Sequence, residues 1–201
     1  MLRIGVADYL RKHEHKGGIV VIPDIKAIYM KSCKTAGTSI YRGVLKNAFN
    51  NILNTKDSSI EFYAWLSRIS DDELSDYYIF SVVRNPYERL LSGAAHFHLD
   101  LNDLCNRFGD ITSDKKIRIH TLPCNLYTHI GGVQFVDEII KFETLDQDIY
   151  KVFSRLGILN TKLPHMNKTN HLSYREAFDQ KSVDFVNRHY AMDLFYYEYS
   201  F

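Results

Sequence analysis

The segment from Lys31 to Ser39 combines lysine, glycine and hydroxyl side chains in a short polar stretch. It lies between a pattern that predicts a strand and one that predicts a helix, where backbone N–H groups and the helix dipole can bind a phosphate. Lys34 provides a positive charge, and Gly37 lets the backbone approach a ligand closely. Thr38 and Ser39 offer hydroxyl donors and could cap the helix. The segment predicts an anion site, although an ordinary turn rich in small residues has the same local pattern.

A second candidate anion site begins at Arg84, directly after the apolar run from Tyr77 to Val83, and Ser92 follows eight residues later. Pro86 suits the first turn of a helix. With a rise of about 1.5 Å per helical residue, one ligand could contact both Arg84 and Ser92. Taken alone, the segment is also compatible with a structural ion pair between Arg84 and Glu88, with Ser92 packed in the core.

An ATP-binding P-loop reads G-x-x-x-x-G-K-S/T, with its lysine after the second glycine. Here Lys34 precedes Gly37, and Lys31 to Cys33 occupy the place of the first glycine. A nucleotide-dependent kinase is therefore the less favoured alternative. A noncatalytic nucleotide- or glycan-binding module is a further alternative.

The elements that must position these residues alternate along the chain. We predict strands at 18–23, 27–31, 77–83 and 134–142, and helices from Thr38, from Pro86, at 145–156 and at 179–195, with a polar loop at 163–173. The run at 77–83 is apolar except for Ser81, as in a parallel strand buried on both faces. No repeat or linker divides the chain. We therefore expect one α/β domain over residues 1–201, with a P-loop-like parallel sheet flanked by helices.

Composition narrows the function further. The 25 basic and 24 acidic residues nearly cancel, so no overall field attracts nucleic acid or an anionic membrane. Three widely spaced cysteines fit a reducing compartment, and no apolar run approaches the roughly 20 residues of a membrane span. No signal peptide is visible and no His, Asp or Glu cluster has metal-site spacing. These features predict a cytoplasmic location and no metal.

Five segments resemble sulfotransferases that use 3′-phosphoadenosine 5′-phosphosulfate (PAPS). Residues 34–39 resemble the 5′-phosphosulfate loop, usually P-K-T-A/G-G-T-S, and residues 83–92 resemble the 3′-phosphate motif. The form R-N-P-Y/W-x-R-x-x-S is typical of the carbohydrate branch, which includes the heparan 2-O- and chondroitin sulfotransferases. Residues 120–123, 140–145 and 163–168 resemble that branch's H-x-x-P-Q, F-E-N-L and L-P-H-x-N-K segments.

This resemblance implies transfer of a sulfuryl group from PAPS to a hydroxyl of a carbohydrate or glycan, by in-line displacement and without a metal. It implies that Lys34 stabilises the charge on the bridging oxygen and that Arg84 and Ser92 hold the 3′-phosphate. It also implies that Lys168 closes over the nucleotide. The 5′-phosphate would be held by the backbone N–H groups of Thr35, Ala36, Gly37, Thr38 and Ser39.

The sequence departs from this family at several positions. Cys33 replaces the usual proline before the lysine, and Cys124 replaces the usual glutamine after Pro123. Related enzymes often have a catalytic histidine in the region corresponding to residues 60–66, which here contains Glu61 and no histidine.

The acceptor hydroxyl requires a base. We rank Glu61 first, because burial in a cleft could raise its pKa toward neutrality, and His120 second. His96 and His98 are interpreted as structural or acceptor-lining residues, and His165 as part of the closing loop.

Overall fold

The computed structural model describes residues 5–13, 18–55, 59–164 and 173–201. The strands are β1 (Gly18–Ile22), β2 (Ala27–Lys31), β3 (Leu53–Asn54), β4 (Tyr78–Val83), β5 (His129–Ile130), β6 (Val133–Gln134) and β7 (Glu138–Lys141). Five of them form a sheet in the order β3-β1-β2-β4-β7, and β5 pairs with β6 separately. β2, β4 and β7 are parallel, whereas β1 is antiparallel to both its neighbours. The predicted α/β class is confirmed, but the sheet is mixed: its parallel part runs from the central strand β2 to the edge strand β7.

Helices flank this sheet. The α-helices are α1 (Val6–His13), α2 (Gly37–Ile40), α3 (Lys46–Ala48), α4 (Ser59–Arg68), α5 (Asp71–Ser75), α6 (Pro86–His96), α7 (Leu101–Asn106), α8 (Phe108–Ile111), α9 (Lys115–Thr121), α10 (Leu145–Arg155), α11 (Tyr174–Ala177), α12 (Gln180–His189) and α13 (Ala191–Tyr197). A π-helical segment, Tyr41–Leu45, joins α2 to α3, and 3-10 turns lie at Pro23–Ile25, Cys124–Tyr127 and Phe142–Thr144.

The alternation of side chains along each strand divides the core between the two faces of the sheet. On one face Val21, Ile28 and Ile79 pack in a cluster that includes residues of α1 and α4. On the other face Tyr29 and Phe80 stack, with ring centroids 4.8 Å apart, in a cluster that includes residues of α2 and α10. A third cluster joins α6 and α7 to α12. Buried strands thus form a rigid base from which the loops emerge.

Two predicted elements differ from the structure. The strand predicted at 134–142 is shorter, because β6 pairs with β5 and only residues 138–141 join the sheet. The helix predicted at 179–195 is divided at Tyr190, whose φ and ψ of −111° and 24° are not helical. Of the loop predicted at 163–173, residues 165–172 lie outside the described residues.

In the described part of the chain, no helix has the length and apolar character of a membrane span.

Candidate functional site

The two predicted anion-binding segments lie at the same edge of the sheet. β2 and β4 are parallel neighbours, with Met30 opposite Ser81, so both strands end at this edge. Arg84, which follows β4, donates a hydrogen bond from Nη1 to the carbonyl oxygen of Lys34 at 3.3 Å. Ligands of open parallel sheets bind beyond the carboxyl ends of the strands. The structure therefore joins the two segments into one candidate site.

The loop after β2 has an unusual backbone. Lys34 and Ala36 have φ angles of 66° and 60°, in the left-handed region that favours glycine. The left-handed conformation costs about 1–2 kcal/mol for a residue with a Cβ atom. In turns, such residues direct successive N–H groups toward a concave anion-binding surface. The strained positions thus coincide with the segment predicted to hold a phosphate.

Hydroxyl groups fix the base of this loop. Thr35 is fully buried, and its Oγ1 donates to the carbonyl oxygen of Ser32 at 2.9 Å. Ser32 in turn donates from Oγ to the carbonyl oxygen of Val82 at 2.9 Å, which ties the loop to β4. Cys124 donates from Sγ to Ser32 Oγ at 3.7 Å. The Thr35 side chain therefore shapes the loop, and its backbone N–H is the group that suits the predicted phosphate contact.

Gly37 is required for a close side-chain contact. A Cβ atom at this position would lie 2.6 Å from Cγ and 2.8 Å from Cδ of Lys31. The aliphatic part of Lys31 therefore crosses directly over Gly37, and its Nζ lies 6.0 Å from the centre of the Tyr41 ring. Because Gly37 has no side chain, Lys31 can lie along the loop that follows β2 and contains Lys34.

The helix that leaves the loop begins without a side-chain cap. Ala36 is its N-cap residue, and its side chain has no oxygen to accept a hydrogen bond from the first turn. The prediction that Thr38 or Ser39 caps the helix is wrong, because both residues lie inside α2. Ser39 is buried and Thr38 is half-buried. N–H groups at a helix start require an acceptor, and an anion can provide it.

Arg84 is held in place but keeps one donor without a partner. Its side chain is 12% exposed, its Nη2 lies 3.1 Å from Glu88 Oε2, and its guanidinium lies 4.3 Å from the centre of the Phe142 ring. Its Nε is buried and has no hydrogen-bond partner among the described residues. Burial lowers the pKa of Arg84, while Glu88 and Glu143 oppose that shift. The ion pair with Glu88 is thus present, and Nε is still available to an anionic ligand.

The other predicted site residues are distributed around these loops. Ser92 is buried on α6, 3% exposed, two turns after the arginine. Glu61 lies on α4 and is exposed, so the surrounding protein does not supply the desolvation that the sequence analysis invoked. Lys168 and His165 lie outside the described residues. The proposed roles of these residues stay predictions.

His120 lies on α9, and charges from the loop after β2 act on its ring. Its ring is half-buried, and its Nδ1 lies 2.8 Å from the carbonyl oxygen of Lys116. Burial is the main cause that lowers the pKa of His120, and the positive charges of His96, Lys34 and Lys31 lower it further. The positive charges of Lys34 and Lys31 therefore act on the ring of His120.

Burial also lowers the pKa of Lys34, with a further contribution from Arg84. Two positive groups, Lys34 and Arg84, therefore act on each other at this edge of the sheet, and Glu88 pairs with Arg84. A bound anion would offset their mutual repulsion.

Sequence reasoning missed a buried ion pair behind the site. Arg89 is 1% exposed, and its Nη2 lies 3.9 Å from Oδ2 of Asp193, which is fully buried. The two carboxylate oxygens of Asp193 also accept backbone hydrogen bonds from Cys124 at 2.7 Å and Asn125 at 2.8 Å. The pair connects α6 and α13 to the turn that follows α9. No local pattern signals the pair, since Arg89 and Asp193 lie on helices far apart in the sequence.

The mixed sheet with its helices is consistent with a sulfotransferase fold. A family model described as "Sulfotransferase family" matches residues 18–200. Because this match covers almost the whole sequence, the chain belongs to the sulfotransferase family. It is therefore a transferase, and sulfuryl transfer is the activity that its family supports. The comparisons with curated proteins and with solved structures gave no match.

Proposed function

We propose that this sulfotransferase uses PAPS as its donor and transfers the sulfuryl group to a hydroxyl of a carbohydrate or glycan. The observation that carries the proposal is the hydrogen bond from Arg84 to the carbonyl oxygen of Lys34 at 3.3 Å. This contact joins the segment that resembles a 3′-phosphate motif to the segment that resembles a 5′-phosphosulfate loop. A nucleotide with an anionic group at each end of its ribose can span the two.

The groups present fit such a donor. The loop offers backbone N–H groups from Thr35 to Ser39, next to an uncapped helix start. Arg84 contributes its buried Nε, which lacks a partner among the described residues. Ser92 lies on the helix that begins after Arg84 and, together with that arginine, would hold the 3′-phosphate. Lys168 would close over the nucleotide.

PAPS supplies an activated sulfuryl group when bound. Lys34 would stabilise the negative charge that the bridging oxygen gains as its bond to sulfur breaks, which is the kind of preorganised electrostatic help that lowers such barriers. The new bond joins the acceptor oxygen to sulfur, and the hydroxyl proton passes to a base. We take His120 as this base, because its ring is half-buried and the positive charges of Lys34 and Lys31 act on it. Glu61 is the alternative.

The neutral tautomer of His120 suits this role. A carbonyl oxygen only accepts hydrogen bonds, so the 2.8 Å contact with Lys116 requires the hydrogen on Nδ1. Nε2 then carries the lone pair and can accept the hydroxyl proton. The lowered pKa keeps the ring neutral near pH 7, as a general base requires.

The carbohydrate acceptor rests on the branch that the sequence resembles. The R-N-P-Y form at 84–87 and the segments at 120–123 and 140–145 are typical of enzymes that act on sugar chains. In this structure the turn after α9, which includes Leu122 and Pro123, is fixed by the buried carboxylate of Asp193. It follows His120 directly and would form one side of the acceptor site.

Thermal unfolding with 3′-phosphoadenosine 5′-phosphate, the product nucleotide, tests the donor. A ligand at 100 times its Kd adds about 2.7 kcal/mol to the free energy of unfolding. Arg84→Ala should remove most of the resulting rise in Tm. Arg42→Ala, which changes an exposed arginine on the helix after the loop, is the matched control and should keep it. Equal shifts with adenosine 5′-phosphate, which lacks the 3′-phosphate, would contradict the proposal.

A further inference from the structure

The ring of His120 is enclosed by two residues from the end of α6. His96, the last residue of that helix, stacks on His120 with ring centroids 5.4 Å apart and an angle of 22° between the planes. Phe97 contacts the same ring edge-on, with centroids 5.0 Å apart at 87°. Together with the hydrogen bond to the carbonyl oxygen of Lys116, these contacts restrain the ring on three sides.

The two histidines differ in exposure, but the charge of Lys34 acts on both of them. His96 is exposed, whereas His120 is half-buried. Burial lowers the pKa of His96, and the charges of Lys34 and His98 lower it further. The charged groups that act on His120 come from α6 (His96), from the loop after β2 (Lys34) and from the end of β2 (Lys31). All of them lower its pKa, whereas the hydrogen bond with the carbonyl oxygen of Lys116 raises it. A proton on either ring therefore opposes a proton on the other.

We propose that His96 is a positioning residue for sulfuryl transfer: its ring holds the ring of His120 in place, and the charge on His96 controls whether His120 accepts a proton. The inference rests on the proposed function in taking His120 as the base. The stacked arrangement and the fixed Nδ1–H of His120 carry it. When His96 is neutral, its ring face can also stabilise the imidazolium that His120 becomes after accepting the hydroxyl proton.

The sign of the effect follows from the geometry. A like charge disfavours the protonated form of its neighbour, so removing the charge of His96 raises the pKa of His120. At the separation of these rings we expect a rise of about half a pH unit. The fraction of neutral His120 at pH 6 should fall accordingly, and the acidic limb of the kcat/KM profile should move to higher pH.

Histidine proton resonances, followed by NMR against pH in the free 201-residue chain, test the coupling without any substrate. His120→Gln assigns the signal of interest. His96→Phe keeps a flat ring in the stack and removes the charge, so the midpoint of His120 should rise by about half a unit. His98→Asn is the matched control, since His98 is exposed and asparagine tolerates its φ of 55°. It should leave that midpoint almost unchanged.

Activity measurements complete the test. His96→Ala, which lacks the ring, should lower kcat about tenfold, and His96→Phe should recover most of that loss, because a small displacement of a catalytic group is costly. The Tm rise given by the product nucleotide should stay unchanged in both variants. An unchanged His120 midpoint in His96→Phe would overturn the inference, whatever the activity. If the midpoint of His120 shifts in His96→Phe but the unsubstituted chain transfers nothing from PAPS, the coupling is supported and the proposed function is rejected.

Discussion

The Asp193→Ala substitution removes a fully buried carboxylate that accepts backbone hydrogen bonds from Cys124 at 2.7 Å and Asn125 at 2.8 Å. It also removes the negative charge 3.9 Å from the buried guanidinium of Arg89. Breaking a buried pair by removing one partner costs about 3–5 kcal/mol, and each buried donor left unpaired costs about 1–3 kcal/mol. Because such contributions are not additive, we expect a loss of about 3–5 kcal/mol in the free energy of unfolding.

Urea unfolding followed by circular dichroism measures this loss. Natural domains have about 5–15 kcal/mol of stability, so the variant should fold at 25 °C with a much lower midpoint. Asp184→Ala, which removes an exposed acid from α12, is the control and should change stability by about 0.5 kcal/mol or less. A loss below about 1 kcal/mol in Asp193→Ala would refute the reasoning.

Two further variants keep the test decisive if Asp193→Ala does not fold. Asp193→Asn keeps one oxygen acceptor and should lose less stability than the alanine variant. The double substitution of Arg89→Met with Asp193→Leu should recover part of the loss, because replacing both members of a buried pair with apolar groups is often neutral. A double variant less stable than Asp193→Ala would show that the pair itself is not the cause.

The remaining predictions concern the reaction. Gly37→Ala should lower affinity for the product nucleotide about tenfold, because the added methyl would overlap Lys31; unchanged affinity in isothermal titration would contradict this. Transfer should proceed in excess chelator, because Lys34 meets the developing charge, and an absolute requirement for magnesium would argue against this role. His120→Ala should lower kcat by about 10²–10⁴, with Glu61→Gln the milder change. The acidic limb of the kcat/KM profile should lie below the ordinary imidazole pKa of about 6.5, since that of His120 is lowered, and full activity of His120→Ala would eliminate it as the base.

Much of the fold was predictable because its signals are local. The mostly apolar run before Arg84 indicated a strand buried on both faces, and β4 is such a strand. Pro86 indicated a helix start, and α6 begins at that residue. The helix predicted at 145–156 corresponds to α10, and Gly157, which follows it, has a left-handed φ of 75°. The alternation of strands and helices then indicated the α/β class.

What the sequence did not predict depends on contacts between distant segments. The antiparallel direction of β1 follows from its tight connection to β2 through Pro23–Ile25, and residues 134–142 divide between two sheets. The hydrogen bond between Arg84 and Lys34 joins residues 50 positions apart. Stacking of His96 on His120 likewise depends on how α6 and α9 pack, so no local pattern distinguished His96 from a structural histidine.

The proposed reaction is tested most directly by incubating the protein with radiolabelled PAPS and a set of carbohydrate acceptors. We predict label in a carbohydrate product, in amounts equal to the product nucleotide formed. Lys34→Ala should lower kcat by about 10²–10³, the effect of removing one preorganised donor, while Arg42→Ala should retain activity. If the protein binds the product nucleotide but neither labels an acceptor nor releases sulfate, transfer is contradicted and a noncatalytic binding module is indicated.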